Sequence, residues 1–468
     1  MKKLLLLFCF GLSLISVKGQ NPDRKRTNHW YFGHGAGIDF SSGSAVTDTT
    51  GHLHTSEGCA VMSDTLGNLL CYSDGDTVWD RHHNVMPNGY GLLGCGQYGS
   101  TAQACVIIPY PGNANKYIVF TNDCQENLGG SGLRYTVVNM LLNFGNGDVD
   151  TSQKNILLFA PSTEGLGITY KCNKKDFWIV AHEFNNNKFH VYSVDSNGIN
   201  NIPQIVSIGS PYTYNYSMFR FSSNGAKLAT AYRHPPATDV AMLFDFNNQT
   251  GVISNGIQLV FNSSGFSPEF SFDNTKLYYN VTSTSIQQFD ISSGNDSASI
   301  NSTRVVVATN SSGLFGYLAK APNNKIYIPM LSTDSLSTID LSNVSGIGCS
   351  IHQMSFYTGR LSTPGLPEFV ADYYYQGVYS NDCTEGIDEI TLEDIKIFPN
   401  PASDYLQIEG NNIQNIQLYD VVGKIIFQNN EINSMYSTKI MTNKLSNGIY
   451  IFKINTNNKL ITKKIIKQ

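Results

Sequence analysis

The sequence predicts an all-β protein, one long repetitive body followed by a small module, and three observations carry that prediction. Aromatic residues reach 12%, with 26 tyrosines, while charged residues are only 14%. Globular chains usually carry roughly 25% charge, so this balance favours strands over Glu- and Lys-rich surface helices. A strand–turn–strand pattern returns at near-regular spacing, and after an acidic stretch the chain turns Lys- and Ile-rich from Ile395 to its end.

The N-terminus comes first. Lys2 and Lys3 precede an apolar core from Leu4 to Val17, and Val17-Lys18-Gly19 offers a cleavage site before Gln20. This pattern predicts a signal peptide over residues 1–19, too short to be a stable membrane span. No later stretch approaches the ~18 apolar residues of a transmembrane helix. The net charge of -5 gives no electrostatic reason to expect nucleic acid or an anionic membrane as partner.

The repeats define the body. First strands are read at GCAVMSD (Gly58), ACVIIPY (Ala104), GITYKCN (Gly167), SMFRFSS (Ser217), SPEFSFD (Ser267), GYLAKAP (Gly316) and LPEFVAD (Leu366). Successive starts lie 46, 63, 50, 50, 49 and 50 residues apart. Second strands such as NKYIVFTND and TKLYYNVTS follow Gly/Asn turns, and third strands such as QQFDISSGN end in another turn. Four antiparallel strands in about fifty residues is the unit of a propeller blade. The last unit lacks its later strands, and Asn28–Ser44 contains IDFSSG, which matches FDISSG of the fifth unit. The sequence therefore predicts a seven-bladed β-propeller over 20–379, closed by the N-terminal strands, which removes exposed sheet edges, with six or eight blades or an irregular stack of β-sandwiches as the alternatives.

Chemistry is sparse. His52, His54, Glu57, Asp76, Asp80, His82 and His83 form the densest polar region. As metal ligands or acid/base groups they would need convergence. Asp-Gly-Asp is ordinary turn chemistry, and adjacent histidines on a strand point to opposite faces. The SDGDTVW stretch departs from the spacing of the sialidase Asp-box, and Asn146–Asp150 lacks the EF-hand register and its final Glu. No GxSxG, HExxH, P-loop or dinucleotide fingerprint is suitably placed. No catalytic, cofactor-binding or metal residue is nominated, and no cofactor is expected. Beyond the signal peptide stand Cys59, Cys71, Cys95, Cys105, Cys124, Cys172, Cys349 and Cys383, an even number with no CxxC, which points to bridges or buried thiols of unknown pairing.

The stretches WYFGHGAGIDFSSG, EGCAVMSDTLGNLLCYSDGDTVWD and MPNGYGLLG resemble a group of secreted Bacteroidota propellers, over residues 28 to about 375. The resemblance implies architecture and not an activity. Triplets at Asp64, Asp76 and Asp334 resemble the O-glycosylation sequon of that phylum.

Residues 380–394 are acidic and poor in apolar residues, and read as a linker. The module at 395–468 holds about seven short strand signals, suiting a small Ig-like β-sandwich. Its IKIFPNPASDYLQIEG, IQLYDVVGKIIF and LSNGIYIFKI resemble the type A C-terminal sorting domain of the type IX (Por) secretion system. The matching features are Phe398, Pro399, Asn400, Pro401, the hairpin at Gly423, Gly448 and Tyr450, and terminal Lys463 and Lys464. The resemblance implies two-step export, recognition of the folded domain by the type IX machinery, and release or attachment through anionic lipopolysaccharide. The expected function is a cell-surface or extracellular protein whose propeller binds a glycan or protein ligand. The alternatives are a secreted hydrolase or lyase acting on polysaccharide or peptide, and a structural surface-layer component.

Overall fold

The computed structural model describes residues 21–95, 100–232, 240–261, 265–310, 313–375, 377, 395–410, 413–429, 437–456 and 460–468. The signal peptide, the linker, Cys9 and Cys383 lie outside the described residues. The chain divides into two compact units, Met1–Ser380 and Asn381–Gln468. It is all-β, with antiparallel sheets throughout.

Among its described residues the first unit holds seven sheets. The first is made of His29–Phe32, Ala36–Asp39 and Val46–Thr47, and the second of Ala60–Ser63, Leu69–Ser73 and Val78–Asp80. The third starts at Cys105–Tyr110, the fourth at Ser162–Tyr170, the fifth at Ser217–Phe221, the sixth at Gly265–Phe270 and the seventh at Ala319–Lys320. These five each have four or five strands. Six of the seven runs read as first strands thus open a sheet.

The seventh run departs from that reading. Leu366–Asp372 makes one bridge, Pro367 to Cys59, and passes into a 3-10 helix, Ala371–Tyr374. Beyond that bridge and the Glu368 N–H donated to the Cys59 carbonyl (2.8 Å), the run turns into the helix after a few residues and makes no ladder among the described residues. The N-terminal strands make the first sheet by themselves, and Phe369 packs its ring 6.1 Å from that of Trp30.

One turn explains much of the Gly and Asn content. At Asp64–Gly67, Lys171–Lys174, Ser222–Gly225, Ser271–Asn274 and Ala321–Asn324 the fourth residue donates its N–H to the first carbonyl. That fourth residue always has positive φ, from 56° at Lys174 to 98° at Gly67. Gly and Asn tolerate this conformation best, and it lets a short loop join tightly twisted strands.

Successive sheets are tied in order. Tyr31 and Tyr72 rings lie 4.9 Å apart between the first and second sheets, and Cys105 Sγ donates to the Ser73 carbonyl (3.3 Å) between the second and third. Gly165 N–H donates to Ser217 Oγ (2.7 Å), Tyr279 OH to the Thr230 carbonyl (3.1 Å) and Tyr278 OH to the Ser342 carbonyl (2.7 Å). The seventh sheet also meets the first: Thr47 Oγ1 donates to the Tyr357 carbonyl (2.5 Å), and Trp30 stands edge-on to Tyr327 at 5.7 Å.

Gln103 joins the third, fourth and fifth sheets through one amide. Its Oε1 accepts the N–H groups of Leu166 (2.9 Å) and Phe219 (2.7 Å), and its Nε2 donates to the Phe219 carbonyl (3.0 Å). Gln103→Leu strands three buried backbone groups, each costing about 1–3 kcal/mol. The expected loss is at least about 2 kcal/mol, read as a lowered urea midpoint by tryptophan fluorescence; an unchanged midpoint would contradict this role.

Cys59, Cys71, Cys105 and Cys349 are free and buried, whereas Cys95 is bridged to Cys124 and Cys172 is disulfide-bonded.

The second unit pairs a three-stranded sheet (Ile395–Phe398, Tyr405–Gly410, Ser437–Met441) with a four-stranded one. In the latter, Ile425–Asn429, Ile413–Asp420, Gly448–Thr456 and Leu460–Lys467 lie in that order. Alternation along the strands buries Leu406, Ile408, Ile416, Leu418, Phe452 and Ile454 in one core.

Candidate functional site

In the first unit, the residues at or just before the first strands gather around a cavity of about 280 Å³. Glu57, Tyr216, Phe266, Phe315, Tyr317 and Asn280 line it. Tyr216 and Phe266 meet edge to face with centroids 5.7 Å apart. Two acceptors there have no donor: Glu57 Oε2 and Asn280 Oδ1. Asn280 is 1% exposed, and its Nδ2 is spent on the carbonyls of Phe315 (2.7 Å) and Gly316 (2.9 Å). Buried acceptors without donors are costly.

Burial pushes the Glu57 carboxyl up to about 7, against a smaller opposing effect of Tyr317. Glu164 also sits at this end, but it is sealed at 1% exposure. Its oxygens accept the N–H groups of Ala102 (3.0 Å) and Gln125 (2.9 Å), and burial raises it well above the usual carboxylate range. It does not line the cavity.

Raised by burial, Glu57 keeps its proton in the folded chain between about pH 4.5 and 7, where the unfolded chain has released it. Folding stability therefore falls as pH rises through that window and levels off above it. Glu57→Gln is expected to flatten this part of the profile in urea titrations from pH 5 to 8. Asp74 and Asp372, pushed by burial to about 6, keep their own share. A slope identical to wild type would remove Glu57 from the account.

Four acidic and basic residues meet in a buried cluster. Arg220 places its guanidinium against Glu368 (2.5 and 3.2 Å) and Glu269 (3.4 Å), and Lys320 Nζ lies 3.7 Å from Glu269. All four are nearly or fully buried. Burial works to lower Arg220, but Glu368 and Glu269 outweigh it and raise its pKa; burial lowers Lys320 to about 8 although Glu269 opposes this. The 3-10 helix Pro22–Thr27 lies beyond them, held by Tyr170 OH to Asp23 (2.8 Å) and by Arg24 Nε to the Pro322 carbonyl (3.0 Å).

Of the polar residues singled out in the sequence, only Glu57 reaches the cavity. Asp80 Oδ1 accepts the N–H groups of His82 (2.8 Å) and Asn84 (3.0 Å), which is turn chemistry. His83 stands at φ 66° with Nδ1 3.2 Å from Tyr72 OH, and His52 Nδ1 lies 2.8 Å from the His83 carbonyl. His54 faces His34 with ring centroids 5.8 Å apart, and Asp76 accepts from Thr77 Oγ1 (3.4 Å). Cys95, Asp123 and Cys124 cluster as metal ligands would, but the two sulfurs are spent in the disulfide. In the three sequon-like triplets, Thr65 is exposed, whereas Thr77 and Ser335 are half-buried. Tyr216, Phe266, Tyr317 and the charged four carry no motif. Their one signal is that Glu269 and Glu368 occupy the same place in two repeats, SPEF and LPEF.

At the C-terminal corner, Asn400 clamps the last strand: Nδ2 donates to the Lys464 carbonyl (2.9 Å) and Oδ1 accepts the Ile466 N–H (2.9 Å). Phe398 is 40% exposed, and Pro399, Asn400 and Pro401 are exposed beside it. Gly423 takes φ 85° in the Asp420–Lys424 turn, and Asp420 Oδ1 accepts the N–H groups of Val422 (3.0 Å) and Lys424 (2.9 Å). Gly448 opens the strand that holds Tyr450, whose OH donates to the Ser446 carbonyl (2.9 Å). Lys463 is half-buried and Lys464 exposed. Residues 396–468 match the family described as the secretion system C-terminal sorting domain. This segment is a type IX sorting domain. The sorting domain marks the protein as type IX-secreted, exported out of the cell to its surface or beyond.

No curated protein matches the sequence. Solved structures resemble it at low identity. PorZ, a surface component of the type IX secretion system of Porphyromonas gingivalis, is 12% identical with a TM-score of 0.37, over 97% of this chain and 60% of its own. This chain thus spans about 60% of PorZ. A putative 6-phosphogluconolactonase from Bacteroides fragilis is 10% identical with a TM-score of 0.43, over 72% of this chain and 96% of its own. The β-propeller domain of Cps50 (Swd1) from Myceliophteria thermophila is 10% identical with a TM-score of 0.40, over 66% and 95% respectively.

Proposed function

We propose that the first unit is a seven-bladed propeller closed by the N-terminal strands, and that its mouth binds a glycan or protein ligand outside the cell. The layout is a signal peptide over 1–19, the propeller over 20–379, a linker over 380–394 and the sorting domain over 395–468. The seven sheets, each touching the next and the last touching the first, support closure. Phe398 to Pro401, Gly423, Gly448, Tyr450, Lys463 and Lys464 form or brace the surface read by the secretion machinery. After export the protein stays at the outer face of the outer membrane or is released.

The observation that carries the binding reading is the aromatic cavity with two buried acceptors lacking donors, Glu57 Oε2 and Asn280 Oδ1. Hydrolysis by paired carboxylates needs a second acid within reach of substrate. Of the other carboxylates at this end, Glu164 is sealed and fully occupied by backbone N–H groups, whereas Glu126 is exposed, accepts from Ser100 Oγ (2.7 Å) and acts electrostatically on Glu57, so it is the second acid a hydrolase would have to use. A glycan array run beside polysaccharide- and peptide-hydrolysis panels tests this. Binding without turnover, weakened about tenfold or more by Tyr216→Ala or Glu57→Gln, is the expected result. Turnover that Glu57→Gln abolishes would establish the hydrolase instead.

A further inference from the structure

A second and larger cleft opens at the seam where the seventh sheet meets the first. It measures about 630 Å³, inside the usual range of roughly 300–1,000 Å³ for ligand sites. One wall is the Gly43–Ala45 segment before the first sheet's last strand, which is only two residues long, Val46–Thr47. The other is a face of the seventh sheet, whose register sets Tyr327 opposite Thr338 and Thr338 opposite His352. Trp30 and Phe40 pack on Tyr327, at 5.7 and 5.8 Å. Lys325, Asp340, Thr338 and Ser355 follow as a polar surface in the cleft.

Two acceptors lining this cleft are buried and lack donors: Asp340 Oδ1 and Asn323 Oδ1. Each residue is otherwise fixed. Asp340 Oδ2 holds Lys325 Nζ at 2.8 Å, and Asn323 Nδ2 donates to Tyr327 OH at 2.9 Å. The ammonium already balances the carboxylate, which removes the charge that would attract a metal ion, and the carboxylate disfavours an anion. Ser355 Oγ donates to the His352 carbonyl (3.1 Å) and Thr338 Oγ1 lies 3.1 Å from Ser355 Oγ, so these hydroxyls are left to accept. Phe356 adds an apolar flank. A Lys325–Asp340 pair with His352 Nε2 3.8 Å from Asp340 Oδ2, uncharged amide and hydroxyl groups and an aromatic edge together match a ligand of many hydroxyl groups and no net charge.

We propose that the cleft between the first and seventh sheets is a binding site for a neutral saccharide, with Asp340 and Asn323 accepting its hydroxyl hydrogens. It is separate from the mouth cavity and does not rest on the reading of that cavity.

The test uses the full mature chain, titrated calorimetrically with maltotriose, cellotriose, chitotriose and mannotriose. At least one is expected to bind, and Asp340→Leu, which removes the acceptor, is expected to weaken it about tenfold or more. Hydrogen exchange on wild-type protein gives an independent reading: the bound sugar should protect residues 351–357. Absence of binding by all four sugars overturns the proposal. So does binding that Asp340→Leu leaves unchanged, or binding that protects only segments at the mouth. Concentration-dependent self-association that buries 351–357 would show a second copy there instead.

Discussion

Arg220→Ala is expected to destabilise the first unit by about 3–5 kcal/mol, the range for breaking a buried ion pair from one side. The substitution leaves Glu269 and Glu368, at 2% and 4% exposure, without the guanidinium that both face. Lys320 offers only partial relief, since it approaches Glu269 alone, at 3.7 Å. At a urea m-value of about 3 kcal/mol/M, the midpoint would fall by about 1 M or more. The three tryptophans, Trp30, Trp79 and Trp178, all lie in the first unit, so their fluorescence reports on it without the sorting domain. Arg220→Lys should fall between, because an ammonium keeps the charge but not the fork that grips Glu368 through two nitrogens. If Arg220→Ala lies within about 0.5 kcal/mol of wild type, the four charges do not lock the centre.

Removing Ile395–Gln468 is expected to leave the protein in the periplasm, with none at the surface. Cell fractionation and protease accessibility of whole cells measure this, and full surface delivery of the truncated chain would refute the sorting role. Asn400→Ala is the finer probe. It gives up two hydrogen bonds to the last strand, worth about 0.5–1.5 kcal/mol each. The corner then has less to hold Leu460–Lys467 in place, and a unit this small has little stability to spare. Reduced surface delivery with unchanged tryptophan fluorescence would locate the defect in the sorting domain.

The repeat was legible because five of the seven units make the same turn, and in four of them Gly or Asn takes its positive φ at little cost. The spacing then fell out of local chemistry, and six first strands opened sheets as read. Leu366–Asp372 misled because its side-chain pattern matches a strand, yet the chain makes a single bridge and turns into the helix Ala371–Tyr374. The histidines and aspartates of the N-terminal quarter look reactive in a linear chain, but Asp80 and its neighbours spend themselves on turns. Asn280 and Asn323 gave no warning at all. An acceptor left without a donor is a property of the packed neighbourhood, and neither residue has a local motif. Glu269 and Glu368 could be paired by repeat position, yet their partners Arg220 and Lys320 sit at different places in their repeats.

The buried thiols set an order of events for the exported chain. The thiolate is the reactive form, and burial pushes Cys71 up to about 12 and Cys59 and Cys105 well above the ordinary thiol range. Once the second and third sheets have formed, these sulfurs are chemically silent. Before that they are ordinary thiols, competing with Cys95 and Cys124 for the same oxidants in an oxidising compartment. Correct pairing therefore depends on strand formation outrunning oxidation, and the pattern of bridged and free sulfurs in the exported protein becomes a record of which came first.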